Sequence, residues 1–437
     1  MKRLAIAALL VACASPPVTR SGAADDGTYA MATDVDPRTE ARAALARDAW
    51  RRQERMLDAL DPGRALASTM LHDDEITAGL VTPTELFAIG GGLFHHRFLP
   101  SEGAPATLSR FEDRTHPAAS SCASCHLRGG AAGSGSSVDV AYEGGDGERW
   151  SSAVQRRPPS LIGGAWLELV ASEMTRELAA LRDATRDLSH TQGRDVTVEL
   201  VTHGVSFGSL TVRADGTVAT EAIEGVDPDL IVRPFGTYGS LSTAIDGELA
   251  RRLGVELTTG QRTALVTYLA LLAPPIEELP TTSDYALSAA RGRTRFDVLG
   301  CSSCHVAELP VSATTYTVGL GVSVTLDVDG EPPRLSRDAL DGRLVVRAYT
   351  DLRRHAMGAA LADADTDSFV TPALWGLSVR APYLHDARAG SVEDAIMAHG
   401  GEAQSARDAY AALADVDRGD LRMFLATLTR TRRLEVP

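Results

Sequence analysis

The chain has 437 residues, a formal net charge of −15 at pH 7 and 44% hydrophobic residues. This length and composition leave room for two or three domains with sizeable cores. No cluster of basic residues interrupts the acidic composition, so the sequence predicts no nucleic-acid partner.

The N-terminus has the layout of an export signal. Lys2 and Arg3 precede an apolar run, residues 4–12, that is too short to span a bilayer as a mature helix. Residues 10–13, Leu-Val-Ala-Cys, resemble a bacterial lipoprotein box, in which Cys13 becomes the lipidated first residue. The alternative is an ordinary signal peptide cut within residues 14–16. Both interpretations predict a location in the periplasm or cell envelope. The first also predicts that a lipid on Cys13 is the only membrane attachment.

Local patterns predict a mainly α chain with small β insertions. A polar tether leads to Asp36-Pro37, an N-cap and first helical residue, and then to a helix over residues 38–60. Residues 196–232 alternate between apolar and polar, with Asp215-Gly216 as a hairpin turn. Further expected elements are helices at 259–272 and 283–299, a strand-like insertion at 314–328 and a helix at 416–428.

Two copies of one short pattern carry most of the chemical information. Cys-Ala-Ser-Cys-His occupies residues 122–126 and Cys-Ser-Ser-Cys-His occupies residues 301–305. Cys-x-x-Cys-His is the attachment pattern of c-type haem, because two thiols at this spacing match the two vinyl groups of the macrocycle. The motif histidine then supplies an axial nitrogen to the iron. The sequence therefore predicts two covalent haems, one on Cys122 and Cys125 with His126, the other on Cys301 and Cys304 with His305.

The cysteines have three other interpretations. Two zinc knuckles usually lie tens of residues apart and do not need a histidine directly after each pair. A thioredoxin-like redox pair should open a helix after a strand in a βαβ unit, and no such unit is evident. Two structural disulfides would not explain the histidines.

An internal repeat suggests the domain organisation. Each half runs from a Cys-x-x-Cys-His motif to a helix with a similar apolar pattern, at residues 265–269 and 421–425. Class I cytochrome domains close with such a helix, so we expect two tandem class I cytochrome c-like domains. The expected segments are a signal peptide at 1–13, a tether and helix at 14–75, an N-terminal haem domain at 76–280 and a C-terminal cytochrome c domain at 281–437.

Several stretches of the chain resemble a known family. They include Phe-Val-Thr-Pro-Ala-Leu-Trp-Gly-Leu at 369–377 and Ala-Pro-Tyr-Leu-His-Asp at 381–386, with similar stretches at 157–161, 225–229, 349–358 and 395–403. These segments resemble the bacterial di-haem cytochrome c peroxidases and, more closely, the di-haem oxidoreductase family, described as peroxidases or thiol oxidoreductases. The resemblance covers about residues 80–430. It implies an α-rich two-domain fold, two covalent haems and redox chemistry that includes peroxide reduction.

The sixth ligand of the C-terminal haem has three candidates, His399, Met397 and Met357. Alignment with the axial methionine segment of the peroxidases places His399 at the ligand position. Bis-histidine ligation would give this haem a lower potential than a His/Met pair. Met357 remains the alternative, because its spacing from His305 is that of a small cytochrome c. Core packing is the ordinary role of either methionine.

No sixth ligand of the N-terminal haem is evident. Five histidines were considered: His95, His96, His116, His190 and His203. An open iron would need a carboxylate to move a proton between peroxide oxygens. The candidates are Glu168 and Glu173, and each has an alternative role as a solvated helix carboxylate. The resemblance adds that Glu173-Met174 echoes a distal Glu-Met pair of the peroxidases.

Four further residues have expected roles near the haems. Trp166 and Trp375 could pass electrons between them or could simply pack in the core. His385 and Asp386 belong to the family motif and are expected to shape the pocket of the second haem. No calcium ligand set is evident, although the resemblance makes a calcium ion conceivable.

These observations predict an exported di-haem oxidoreductase, with hydrogen peroxide as the small-molecule substrate. A periplasmic donor, a small cytochrome or a cupredoxin, would deliver electrons to the C-terminal haem, and the substrate would meet the N-terminal one. One alternative is a di-haem electron carrier without turnover. The other is an enzyme that oxidises a partner protein through a high-valent haem state.

Overall fold

The computed structural model describes residues 71–99, 102, 121–126, 132–134, 141–143, 154–272, 274, 276–326, 335–337, 342–363 and 366–429. The signal peptide with Cys13, the predicted helix over 38–60 and His116 lie outside the described residues. In the described part of the chain, no helix combines the length and apolar character needed to cross a membrane.

Helices carry both halves of the described chain. In chain order the α-helices are α1 (Asp73–Thr77), α2 (Pro83–His95), α3 (Cys122–Cys125), α4 (Gly164–Gln192), α5 (Leu241–Leu253), α6 (Thr259–Leu271), α7 (Ser283–Val298), α8 (Val392–Ala398), α9 (Gln404–Ala411) and α10 (Asp415–Ala426). Within the described residues, short 3₁₀ helices span Cys301–Ser303, Leu377–Val379 and Gly401–Ala403.

Capping boxes fix the start of several helices. At α2 the Thr82 side chain accepts a hydrogen bond from the Glu85 backbone N–H, and the Glu85 carboxylate accepts one from the Thr82 backbone. Thr258 and Gln261 repeat this exchange at α6. Each box satisfies two backbone donors that the first helical turn leaves unpaired.

The strands are short and numerous. They are β1 (Ala141–Glu143), β2 (Val154–Arg156), β3 (Val196–Thr202), β4 (Val205–Val212), β5 (Val218–Ala219), β6 (Ile276–Glu277), β7 (Leu309–Val311), β8 (Thr315–Gly319), β9 (Val322–Thr325), β10 (Ser336–Arg337), β11 (Leu344–Val346), β12 (Arg354–Ala356), β13 (Ser368–Val370) and β14 (Leu428–Thr429). Within the described residues they form six two- or three-stranded sheets, ordered β1-β2, β3-β4-β5, β10-β11-β7, β8-β9, β12-β13 and β14-β6. The fold is therefore mixed α and β, with more strand than the expected small insertions.

The β3-β4-β5 meander shows what local patterns predict well. Strand β4 pairs antiparallel with both neighbours, and Thr197 faces Thr211 across β3 and β4. Gly216, with φ +84°, lies in the turn between β4 and β5, which confirms the predicted Asp215-Gly216 turn. The tight turn between β3 and β4, at His203-Gly204, was not predicted.

One helix crossing recurs in the two halves. Gly90 of α2 lies against Ala264 and Tyr268 of α6, where an added Cβ would stand 2.0 Å from the Ala264 carbonyl oxygen. Gly292 of α7 lies against Asp420 and Phe424 of α10, where an added Cβ would stand 1.9 Å from the Asp420 carbonyl oxygen. In each half a glycine thus lets a helix that precedes the Cys-x-x-Cys-His motif approach the closing helix at backbone distance.

Three of the four apolar clusters among the described residues lie around or between the two motifs. The first-half cluster surrounds the first motif and includes Phe94, Ala123, Ala165, Leu241 and Tyr268, with Cys122 packed against it. The second-half cluster surrounds the second motif and includes Phe296, Tyr349, Leu377, Tyr383 and Phe424, with Cys301 packed against it. The shared cluster takes side chains from both halves, among them Trp166, Phe207, Leu309, Val346 and Trp375. The shared cluster fixes the two motif regions relative to each other.

The α2–α6 crossing generates a stability prediction. We expect Gly90→Ala to lower the free energy of unfolding by about 1–3 kcal/mol, because the new methyl group would overlap the α6 backbone. Gly92→Ala is the matched control: it lies in the same helix with nothing within 4 Å of an added Cβ. This control should gain about 0.5–1 kcal/mol from the helix propensity of alanine. Thermal unfolding of the two variants gives the comparison, and equal melting temperatures would contradict the crossing.

Candidate haem sites

The first motif forms a single turn of helix that ends at its histidine. The His126 backbone N–H donates to the Cys122 carbonyl at 3.0 Å. The His126 Nδ1 atom lies 2.9 Å from the Pro159 carbonyl oxygen. A carbonyl only accepts, so Nδ1 carries the proton and Nε2 carries the lone pair. The ring is oriented as an axial ligand requires.

The second motif repeats this geometry. The His305 backbone N–H donates to the Cys301 carbonyl at 3.0 Å, and His305 Nδ1 lies 3.0 Å from the Tyr349 carbonyl oxygen. Burial lowers the pKa of His305 to about 4, with a smaller contribution from nearby His399. The imidazole is therefore neutral at pH 7, with its Nε2 lone pair available to a metal.

The four cysteines of the two motifs form no disulfide in the structure. Burial raises the pKa of Cys122 to about 12 and that of Cys301 to about 11. A thioredoxin-like pair needs the opposite shift, toward a stable thiolate. Among the described residues, the group of three potential metal-ligand side chains at Cys304, Asp351 and His355 includes no residue of the first motif.

The fold brings His399 toward the second motif, as it does His355. His399 caps the C-terminus of α8, and its Nδ1 atom lies 2.7 Å from the Ala395 carbonyl oxygen, so its lone pair is again on Nε2. Burial lowers the pKa of His399. Met397 is 44% exposed. The Met357 carbonyl lies against Gly400, beside His399. Both Met357 and His399 thus border one region, and His399 has the orientation of the two motif histidines.

Arg380 is a site residue that the sequence did not reveal. Its charge helps to lower the pKa of His305, and burial lowers its own pKa to about 10, with Tyr383 opposing that shift. The described residues include no carboxylate paired with its guanidinium. The Arg380 carbonyl, directly before the segment 381–386, accepts a hydrogen bond from the side chain of Arg157 in the segment 157–161. A half-buried cation here would suit an anionic group such as a haem propionate.

The two candidate glutamates occupy different settings. Glu168 Oε2 accepts hydrogen bonds from Tyr316 Oη at 2.6 Å and from the Leu241 backbone N–H at 2.8 Å. Burial raises the pKa of Glu168. A carboxyl group with this shift can hold a proton nearer to neutral pH.

Glu173 is engaged by the opposite half of the chain. Its carboxylate accepts backbone hydrogen bonds from Ser312 at 3.0 Å and from Ala313 at 2.9 Å, and His203 Nε2 lies 3.3 Å away. These bonds tie α4 to the segment after β7. Of the two glutamates, Glu168 therefore keeps the environment of a proton donor.

The other candidate histidines divide by exposure. His190 is exposed near the end of α4, and His203 is buried against Glu173. His95 and His96 are buried at the end of α2, and His96 Nε2 lies 2.9 Å from Glu102. His385 stacks on Phe369 with ring centroids 4.4 Å apart.

Two residues of the family segments are held by local contacts. His385 lies 3.2 Å from Asp363, and Asp386 pairs with Arg388 at 2.5 Å.

Trp375 donates to the Arg347 carbonyl, and its ring covers Gly163, just before α4. Trp375 therefore joins the two halves at the shared cluster.

Cys304, Asp351 and His355 place three potential ligand atoms within 4.8 Å of one another. His355 Nε2 lies 2.8 Å from Asp351 Oδ2, and its Nδ1 lies 2.7 Å from Glu402 Oε2. With a carboxylate on each nitrogen, the ring is a double donor with no lone pair for a metal. We interpret this group as support for the second motif.

Comparisons with known proteins give the class. Residues 235–428 match the family described as "Di-haem oxidoreductase, putative peroxidase". This part of the chain is similar to that family, which confirms the resemblance seen in the sequence segments. The match contains the second motif, and it begins after the first motif.

No curated protein matches the chain. One solved structure, a chain of hydrazine synthase from Kuenenia stuttgartiensis, is similar at 14% identity over 82% of this chain and 93% of that chain. Its TM-score of 0.39 is too low to carry an argument.

The His355 contacts predict a dependence of stability on pH. Burial disfavours the imidazolium, but hydrogen bonds to Asp351, Cys304 and Glu402 outweigh burial and raise the pKa of His355 to about 10. A folded-state pKa above the unfolded value stabilises the fold fully below about pH 6.5, and this contribution is lost as the pH rises toward 10. We expect Asp351→Asn to flatten the fall in melting temperature between these pH values.

The control for this titration is His190→Gln, because His190 is exposed and lies outside the network. Its melting temperature should follow the parent protein at every pH. A parent curve that stays flat from pH 6.5 to 10 would contradict the proposed charge on His355.

Proposed function

We propose that this protein is an exported di-haem c-type oxidoreductase that reduces hydrogen peroxide. One observation carries the proposal: each motif histidine donates Nδ1–H to a backbone carbonyl, which leaves Nε2 as the ligand atom. The family match over residues 235–428 supports the redox class.

We further infer two tandem class I cytochrome c-like domains. The support is the repeated crossing of a motif-preceding helix with a closing helix, through Gly90 in one half and Gly292 in the other. Cys122, Cys125 and His126 would hold one haem, and Cys301, Cys304 and His305 the other. Each macrocycle would complete the apolar cluster around its motif, which explains how so small an aromatic content supports two cores.

The two haems would have different tasks. His399 would complete the coordination of the C-terminal haem, which would receive electrons from a periplasmic cytochrome or cupredoxin. Peroxide would bind at the N-terminal haem, where two electrons and two protons convert it into two water molecules. Haem supplies the redox chemistry when bound. The task of the chain is to orient the ligands and to hold a proton, for which Glu168 Oε2, near Tyr316, is the best-placed group.

Export and anchoring belong to the same proposal. A lipid on Cys13 would hold the protein at the membrane surface, where it could meet small diffusible donors. The acidic composition favours a donor with a basic docking face.

An electron-transfer role without turnover is the second candidate. His95 and His96 are both buried at the end of α2, the helix whose Phe94 belongs to the first-half cluster. Ligation by either histidine would close the N-terminal iron to peroxide. The spectroscopic test below separates this candidate from the peroxidase.

The attachment sites lead to a mass prediction. We expect Cys122→Ser/Cys125→Ser and Cys301→Ser/Cys304→Ser each to remove one covalent haem, because thioether bonds need the thiols. Mass spectrometry of denatured protein from cells with intact cytochrome maturation measures the number of haems. Two haems retained in either double variant would overturn the assignment.

The peroxidase reaction leads to a kinetic prediction. Glu168→Gln should lower kcat for peroxide reduction about 100-fold or more, because a positioned proton donor is lost. Glu199→Gln, an exposed residue of β3, is the control and should keep the parent rate. Spectra with peroxide and with cyanide accompany the assay. An enzyme that responds to neither in any redox state would be the electron carrier.

A further inference from the structure

We propose that Asp351, His355 and Glu402 form a clamp that positions both axial ligands of the C-terminal haem, with Glu402 fixing the segment that carries His399. The inference rests on the proposed function, because it takes His305 and His399 as the ligands. The clamp residues are positioning residues, since each acts through a neighbouring segment.

His355 is the centre of the clamp. Its side chain is 6% exposed and lies between two carboxylates, Asp351 Oδ2 at 2.8 Å and Glu402 Oε2 at 2.7 Å. Both ring nitrogens donate, which fixes the plane of the ring. Nδ1 also lies 3.9 Å from Cys304 Sγ, so the ring touches the attachment residue beside His305.

One side of the clamp leads to His305. Its acceptor, the Tyr349 carbonyl, is two residues from Asp351 in the same tight loop, and Tyr349 has a φ of +54°. Asp351 steadies the loop, since its Oδ1 accepts a hydrogen bond from the Arg353 backbone at 3.0 Å. A shift of Asp351 would therefore move the carbonyl that orients His305.

The other side leads to His399. Glu402 is three residues from His399, and its second oxygen accepts a hydrogen bond from the Ala356 backbone at 2.8 Å. Gly401 presses on β12 so closely that an added Cβ would stand 2.1 Å from the Ala356 carbonyl oxygen. At Gly400, an added Cβ would stand 2.9 Å from the Met357 carbonyl oxygen.

These contacts explain why the chain reads His-Gly-Gly-Glu at residues 399–402. The glycines allow the backbone contact, and Glu402 locks it with two hydrogen bonds. A carboxylate is needed because one oxygen accepts from an imidazole and the other from a backbone amide. Glutamine offers one accepting oxygen and cannot make both bonds.

The test compares Glu402→Gln with Glu393→Gln in the haem-loaded protein. Glu393 is the matched control, because it lies on α8, pairs with Arg422 at 3.2 Å and does not touch His355. We expect Glu402→Gln to keep both haems by mass and to raise cyanide affinity at the C-terminal haem about tenfold or more, as His399 loosens. Magnetic resonance should show a new or broadened low-spin signal. Glu393→Gln should match the parent protein in both measurements.

Two further variants make every outcome decisive. Asp351→Asn removes the other carboxylate that contacts His355 and should also raise cyanide affinity and alter the low-spin signal. It therefore tests the clamp even if Glu402→Gln does not fold. His399→Ala should abolish the parent low-spin signal of this haem. A changed His399→Ala with unchanged Glu402→Gln and Asp351→Asn overturns the clamp alone. An unchanged His399→Ala signal overturns the ligand assignment of the proposed function and the clamp with it.

Discussion

The hydrogen bond from each motif histidine to a backbone carbonyl is the constraint on which the haem sites depend. Imidazole has two nitrogens, and only the one opposite the bonded N–H can bind a metal. His126 uses the Pro159 carbonyl and His305 uses the Tyr349 carbonyl. Both acceptors lie far along the chain from their histidine, so a correctly presented ligand exists only when the loop that supplies the acceptor is folded.

The rest of the structure holds those acceptor loops in place. The Trp375 ring packs over Gly163. Along the chain, Trp375 comes after the loop that contains Tyr349, and Gly163 comes four residues after Pro159. The shared cluster thus connects the two acceptor segments through one packed side chain. A rigid connection suits a molecule whose proposed work is electron transfer between two centres, because transfer depends on a constant separation. Glu173 adds polar bonds from α4 to Ser312 and Ala313 at the same junction.

Local sequence signals predicted the elements that depend on local chemistry. The helices at Thr259–Leu271, Ser283–Val298 and Asp415–Ala426 agree with the predictions to within two residues, and Asp215-Gly216 does form a turn. The long α4 helix, Gly164–Gln192, was not predicted, although the sequence did indicate two of its residues, Glu168 and Glu173, as candidate proton donors. The role of Glu173 was also beyond the sequence, because its partners lie about 140 residues away. A local hydrophobic pattern cannot predict a contact between residues that far apart in the sequence.

By itself, the sequence determined the two Cys-x-x-Cys-His motifs, the histidines that we propose as their proximal ligands, and the family resemblance of the segment at 235–428. These follow from residue type and short spacing, because haem attachment depends directly on two thiols at a fixed separation along the chain. Only the tertiary structure decided which nitrogen each motif histidine presents, that burial raises the pKa of Glu168, and that Asp351, His355 and Glu402 meet. Those outcomes depend on burial and on acceptors from distant loops, because desolvation and hydrogen-bond geometry are properties of the packed chain.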